Sequence, residues 1–189
     1  MRSKPSTKKK THHKHLEFIK SKIRTVPHWP KKGVMFRDIT TLVKDHDAFS
    51  KTINLLVKKY KGFKIDLVAG IESRGFIIGS ILAHRLKKGF VMIRKPGKLP
   101  AKTVSEEYKL EYGKNKIEVH ADAINKGDKV LLVDDLLATG GTMRAACRLV
   151  EKLGGKVVGC AFIVELPELR GIKKLKKYPI YRLVEFMGE

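Results

Sequence analysis

From residue 65 onward, short continuous apolar runs alternate with longer segments whose apolar positions recur every three or four residues. The runs "IDLVAG" (65–70), "GFVMIRK" (89–95), "KVLLV" (129–133) and "KVVGCAFIVEL" (156–166) are unbroken rather than alternating, and "YPIYRLVEF" closes the chain as a further strand. Unbroken β-branched and leucine runs predict parallel strands buried on both faces. Helical spacing appears in "AFSKTINLLVKKYK" (48–61), with Asp47 near its start, in "FIIGSILAHRL" (76–86) and in "GTMRAACRLVEKL" (141–153). Upstream, "LEFIKSKIRTV" (16–26) predicts a short amphipathic helix ending before Pro27, after which Pro27, Pro30 and Gly33 impose an extended or turning segment. The polar stretch from Pro96 to Val119 leaves room for two antiparallel strands, around 108–112 and 116–120. Strands alternating with helices in this way predict an α/β fold with a central, mostly parallel sheet flanked by helices on both faces. No repeat or linker divides it.

Length and composition narrow the picture. At 189 residues and 21.4 kDa, the chain fits one domain with a sizeable core. Its two cysteines, Cys147 and Cys160, fall in helix-like and strand-like apolar segments and read as small buried hydrophobes, not as a disulfide framework. No apolar stretch reaches the length of a membrane span, and the basic start lacks the apolar core of a secretory signal, so a cytoplasmic location without membrane contact is expected.

The charge calls for an anionic partner. Lysine and arginine number 41 against 19 acids, a formal net charge of +22. The excess gathers at residues 4–14, between Arg85 and Lys102, and in "KKLKK" (173–177). Residues 1–18 read as a basic, disordered N-terminal arm capable of weak, non-specific polyanion binding, ahead of a single domain over 19–189; "KKLKK" reads as a solvated helix face. A basic bias alone does not choose between RNA and a sugar phosphate.

Local motifs do. In "VLLVDDLLATGGT" (130–142), Asp134 and Asp135 stand at the end of a buried strand, where open α/β sheets bind ligands. Behind them, Ala138, Thr139, Gly140, Gly141 and Thr142 present no bulky side chain between an anion and the backbone N–H groups that open the next helix. There is no GxGxxG, and no lysine follows the glycines as in a Walker loop. The arrangement suits a ribose 5-phosphate, with carboxylates at the ribose hydroxyls. "AGIESRGF" (69–76) is a second anion candidate, because Arg74 at a helix start runs against the dipole preference unless an anion joins it; the alternative is a surface pair with Glu72. "RKPGKLPAKTVSEEYKLEYG" (94–113) reads as a lid in which Lys98 and Lys102 neutralise a polyphosphate and Glu111 handles a proton. In "GVMFRDIT" (33–40), Phe36 suits stacking on a flat ring, Met35 offers its backbone, and Arg37 and Asp38 are expected to pair with each other.

Together these segments resemble the type I phosphoribosyltransferase family. The acidic pair with its small-residue loop carries the superfamily; "FRDI", "GIESRGF", "IRKPGKLP" and "LEYG" are similar to the members that act on adenine. The resemblance spans residues 23–185 and implies a small hood over about 19–40 and a flexible lid over about 95–113. It implies transfer of the 5-phosphoribosyl group from phosphoribosyl pyrophosphate to N9 of adenine, giving AMP and pyrophosphate, by a homodimer. Residues 138–142 would hold the 5-phosphate, and Asp134 and Asp135 the ribose hydroxyls, directly or through Mg2+ carried mainly by the substrate. Ile71, Glu72, Ser73 and Arg74 would form the pyrophosphate loop, with a strained or cis bond at Glu72–Ser73. Arg94 and Lys98 would meet pyrophosphate across a dimer interface, while Met35, Phe36 and Arg37 would line the adenine pocket. Glu111 would assist proton transfer and Tyr112 close the loop, leaving Arg74, Lys98 and Glu111 as the catalytic set. Glu72 departs from the familiar aspartate, and the basic arm lies outside the pattern. Two rivals are a regulatory, RNA-binding protein that keeps the fold as a ligand sensor, and a transferase for another base.

Overall fold

The computed structural model describes residues 7–109 and 114–188. In chain order the helices are α1 (Thr7–Ser21), α2 (Thr40–Lys44), α3 (His46–Tyr60), α4 (Arg74–Leu86) and α5 (Gly141–Lys152). The strands are β1 (Arg24–Pro27), β2 (Met35–Asp38), β3 (Leu67–Ile71), β4 (Gly89–Ile93), β5 (Thr103–Lys109), β6 (Lys114–His120), β7 (Lys129–Val133), β8 (Leu136–Leu137), β9 (Lys156–Glu165) and β10 (Ile180–Glu185).

The main sheet has the order β10-β9-β7-β3-β4, with β8 attached to β9, and every pairing in it is parallel. Successive side chains of a strand point to opposite faces, and β7 shows this directly. Leu131 and Val133 join Val68, Ala161 and Ile163 in a core beneath α1, α3 and α4. Val130 and Leu132 join Ala69, Ile71, Cys160 and Phe162 in a second core beneath α5. Burial on both faces is why these strands carry unbroken apolar runs.

Chain direction reverses its lateral progress between β3 and β7: β4 lies to one side of β3, while β7, β9 and β10 follow on the other. Such a switch point opens a crevice at the carboxyl ends of the two strands, where the connecting segments part. Both acid- and glycine-containing motifs end there.

Several boundaries differ from those expected. α1 extends back to Thr7, so the boundary at residue 19 runs through a helix; Leu16, Phe18 and Ile19 pack on the core, tying its last turns to α3 and β10. Residues 24–26, expected to be helical, instead form β1 together with Pro27 and pair antiparallel with β2, inside the span expected to be a hood. The cap of α3 is Asp45, whose carboxylate accepts from the Ala48 N–H, and not Asp47. Within the expected lid, the first strand begins five residues early, at Thr103, because Glu106 anchors it to α5 through Arg148 and Lys152. Glu111 and Tyr112 lie outside the described residues.

Candidate active site at the sheet switch point

A cavity of about 280 Å³ sits at the switch point. Its lining includes Ile71, Glu72, Ser73 and Arg74 from the β3–α4 turn, Asp134 and Asp135 from the end of β7, and Thr142 from the first turn of α5. The turn at 71–74 and the stretch from Asp134 to Thr142, some sixty residues apart in sequence, thus meet in one crevice. Lys95 and Tyr108 complete it, neither of which the sequence singled out. Lys98, three residues beyond Lys95, is exposed and outside this lining.

Close backbone packing joins α4 to β7. A Cβ on Gly75 would come within 2.8 Å of the Val133 carbonyl oxygen and 3.1 Å of Asp134 Oδ1, so only glycine lets the helix start beside the acids. The Glu72–Ser73 peptide bond is cis. Glu72 does not reach Arg74. Its carboxylate accepts from Arg94 Nε and Nη2, both at 3.2 Å, and from the Lys95 N–H at 3.0 Å. The Arg94 hydrogen bond, reinforced by that of Lys95, holds the Glu72 carboxyl below the usual range. The longer acid at this position thus ties the turn after β3 to the end of β4, and Arg94 Nη1 adds a bond to the Lys98 carbonyl.

Arg74 is paired elsewhere. Its Nε donates to Asp135 Oδ2 at 2.5 Å, and Asp135 is almost fully buried. Only Nε is used in that bond, so the Nη groups keep donors for an anion. Asp134 Oδ1 accepts from the Asp135 N–H. Burial, and then the adjacent Asp135 carboxylate, push the Asp134 carboxyl well above its ordinary range. A cation arriving beside it would relieve both effects.

The small-residue loop is shaped by a partner that the sequence did not reveal. Gly140 has φ +74°, and α5 begins at the next residue. A Cβ on Gly140 would lie 2.5 Å from the Gly171 carbonyl oxygen, while one on Gly171 would lie 2.1 Å from the Ala138 oxygen and 2.9 Å from the Gly140 nitrogen. Two glycines distant in sequence therefore press backbone against backbone, fixing the loop's path beneath the helix. Thr139 sits on this loop, half-buried.

The hood borders the site through Phe36. Its ring packs edge-on to Trp29, with centroids 4.4 Å apart, and the Arg74 guanidinium lies 5.5 Å from its centroid. Arg37 and Asp38 do not pair, a correction that follows from strand geometry: neighbours on β2 face opposite ways. Arg37 donates to Thr25 Oγ1 and to the carbonyls of Met187 and Gly188, over the Phe186 ring and away from the cavity. Asp38 accepts from Arg24 and Thr40; although burial alone would raise it, these bonds hold its pKa at about 2.

Among the described residues no group of three or more His, Cys, Asp or Glu forms a metal site, and no helix is long and apolar enough to cross a membrane.

Comparison with known proteins places this geometry. The phosphoribosyl transferase domain family matches residues 38–185, so the sheet and its crevice are those of a phosphoribosyltransferase. The adenine phosphoribosyltransferase of Chlorobium limicola is 58% identical over 175 residues, covering 90% of this chain and 99% of its own. The solved structure of the adenine phosphoribosyltransferase from Thermoanaerobacter pseudethanolicus is similar with a TM-score of 0.88 at 53% identity, over 90% of this chain and 99% of that one. The Saccharomyces cerevisiae enzyme, complexed with an imino-altritol bisphosphate and adenine, gives 0.86 at 36% identity, over 91% and 99%. The chain belongs to the adenine phosphoribosyltransferase family.

Proposed function

We infer that the chain transfers the 5-phosphoribosyl group from phosphoribosyl pyrophosphate to N9 of adenine, yielding AMP and pyrophosphate. The observation that carries this reading is the switch-point cavity, which gathers the pyrophosphate-loop residues, the acidic pair and Thr142 into one space. N9 attacks C1 of the ribosyl group as the bond to pyrophosphate breaks. Positive charge grows on the ribose and negative charge on the leaving group.

The residue roles follow from position. Backbone N–H groups of 138–142 and the hydroxyls of Thr139 and Thr142 receive the 5-phosphate at the start of α5. Asp134 and Asp135 accept from the ribose hydroxyls. The Nη donors of Arg74 meet the departing pyrophosphate, and Lys95, which lines the cavity, takes the place beside it that the sequence offered to Lys98. Arg94 acts through Glu72, holding the turn that presents Ser73 and Arg74. Phe36 and the Met35 backbone border the adenine, whereas Arg37 braces the hood. Glu111 and Tyr112 lie outside the described residues, and their roles, at the N9 proton and in closing the loop, rest on the family resemblance alone.

The donor set fits magnesium brought by the substrate. Asp134 and Asp135 would add carboxylate oxygens to those of the substrate's phosphates without forming a protein cage, which suits this ion's preference for oxygen ligands. When bound, the ion neutralises charge on the pyrophosphate.

We further propose a homodimer acting in the cytoplasm. Ile77 on α4 and Met92 on the adjoining β4 are 41% and 46% exposed and offer apolar surface to a second copy. An assay of the purified protein with donor, Mg2+ and a panel of bases tests the reaction. AMP formation from adenine is expected; faster turnover of hypoxanthine, orotate or uracil would overturn the base assignment, and turnover of none of them would favour a ligand sensor.

A further inference from the structure

We propose that the groove between the outer face of α5 and the 3-10 segment Gly171–Leu175 binds the phosphodiester backbone of single-stranded nucleic acid, at a site that adjoins the phosphoribosyl cavity at Tyr108 and runs away from it. Two cavities, of about 370 and 420 Å³, share Arg144, Arg148 and Lys174 and therefore continue one into the other. The channel starts beside Tyr108 and Gly141 and runs to Tyr178.

Its walls carry six cations: Arg144 and Arg148 on the helix, and Lys173, Lys174, Lys176 and Lys177 opposite. Against them stand two lining carboxylates, Glu107 and Glu151. Arg148 is paired with Glu106, and Lys177 with Glu151. Arg144, Lys173, Lys174 and Lys176 form no ion pair among the described residues.

The fold prevents these charges from spreading apart. Leu175, in the middle of the lysines, is fully buried in the α5 core. Gly171 is pressed against the loop before α5, and the Tyr178 hydroxyl donates to Glu151 on that helix. Repulsion among the four unpaired cations, held at fixed positions, is relieved by anions from outside. Arg144 and Arg148 lie one turn apart, about 6 Å along the axis, and form a row.

An enclosed apolar pocket with a few polar groups would suit a small molecule. This site is instead open, long and charged along both walls, with a tyrosine at each end. A positive groove that follows a backbone, interspersed with aromatic rings, is how proteins hold single strands. Lys177 Nζ lies 5.1 Å from the centroid of the Tyr178 ring, so a cation and an aromatic face are already side by side there. The described part of the basic N-terminal segment is not part of this groove. That part, α1, packs with α3 on the core at the other face of the sheet from α5.

The test measures anisotropy of a short fluorescein-labelled single-stranded RNA with the full chain, without and with saturating AMP, at several salt concentrations. The variant K173Q/K174Q/K176Q removes three unpaired charges. At roughly 0.7 per phosphate contact on single strands, the slope of log K against log salt should become shallower by about 2, so the affinity lost between about 50 and 200 mM salt should be roughly 20-fold smaller. AMP formation and the melting temperature should match the unmodified chain, showing that the fold and the catalytic cavity are intact. An unchanged slope overturns the proposal, as does loss of all binding on deletion of residues 2–14, displacement of the RNA by AMP, or equal affinity for a duplex of the same length.

Discussion

Replacing Gly171 with alanine tests whether a residue outside the catalytic cavity sets the path of the phosphate loop. The new methyl group would stand 2.1 Å from the Ala138 carbonyl oxygen, whereas ordinary van der Waals contact begins near 3.4 Å. The obstruction is backbone, so no side-chain rotation relieves it; the loop or the 3-10 segment must move by more than 1 Å. Displacements of that size at groups that orient a substrate cost on the order of 10²-fold. AMP affinity should fall by roughly that factor, equivalent to about 2.7 kcal/mol, and the KM for phosphoribosyl pyrophosphate should rise in parallel. Calorimetry with AMP and steady-state rates with saturating adenine give the two readings, and a thermal melt shows how much of the chain remains folded. Gly62→Ala is the control, since its Cβ would meet nothing within 4 Å. If Gly171→Ala reduces folded yield, Gly140→Ala probes the same contact from the other side, where the overlap is a milder 2.5 Å with the Gly171 oxygen. AMP affinity within threefold of the unmodified chain in both variants would refute the reasoning.

Other outcomes follow from the same geometry. Glu111→Gln should lower kcat by about 10²–10⁴-fold while changing donor affinity little; wild-type turnover under chemistry-limited conditions would remove the proton-transfer role. Lys95→Ala should raise the donor KM about tenfold or more, as expected for a lost charge-assisted bond, and Lys98→Ala should have the smaller effect; the reverse order in steady-state assays would restore Lys98 to the pyrophosphate. Asp38, with a folded pKa of about 2 against an ordinary 3.8, contributes stability that is present above about pH 4 and lost as pH falls toward 2. Urea midpoints should therefore drop more between pH 5 and about 2.5 in the unmodified chain than in Asp38→Asn, by a difference on the order of 1 kcal/mol; identical pH profiles would contradict the assignment. Deleting residues 2–14 leaves Leu16, Phe18 and Ile19 to pack on the core, so kcat for AMP formation should stay close to the full-length value, and a large loss would place the segment against the active site.

The sequence made the sheet legible because burial on two faces leaves a signature that local context cannot disguise: an unbroken apolar run. It also exposed the small-residue turn before α5, where glycines permit the close backbone approach that the structure shows. Other features depended on distant partners. Arg24–Pro27 has no helix-breaking residue before Pro27, so its strand character came from pairing with β2, which periodicity does not register. Glu106 reads as one more polar residue in a polar stretch until Arg148 and Lys152, some forty residues away, bury it and pull β5 onto α5. Gly171 carried no signal in the sequence, because its constraint is the backbone of Ala138 and Gly140.

The site cations illustrate the same dependence with a chemical consequence. Arg74 and Arg94 were both legible as anion binders, yet each holds a carboxylate: Asp135 for one, Glu72 for the other. A cavity that gathered guanidinium groups with no counter-charge would pay desolvation and repulsion together. The acids remove that cost, but not equally. Arg94 spends Nε and Nη2 on Glu72 and Nη1 on the Lys98 carbonyl, so all of its nitrogens are engaged. Arg74 uses only Nε among the described residues. Of two arginines alike in sequence, the structure therefore leaves Arg74 the one with both Nη groups outside any hydrogen bond among the described residues, and makes Arg94 a brace for the turn that carries it.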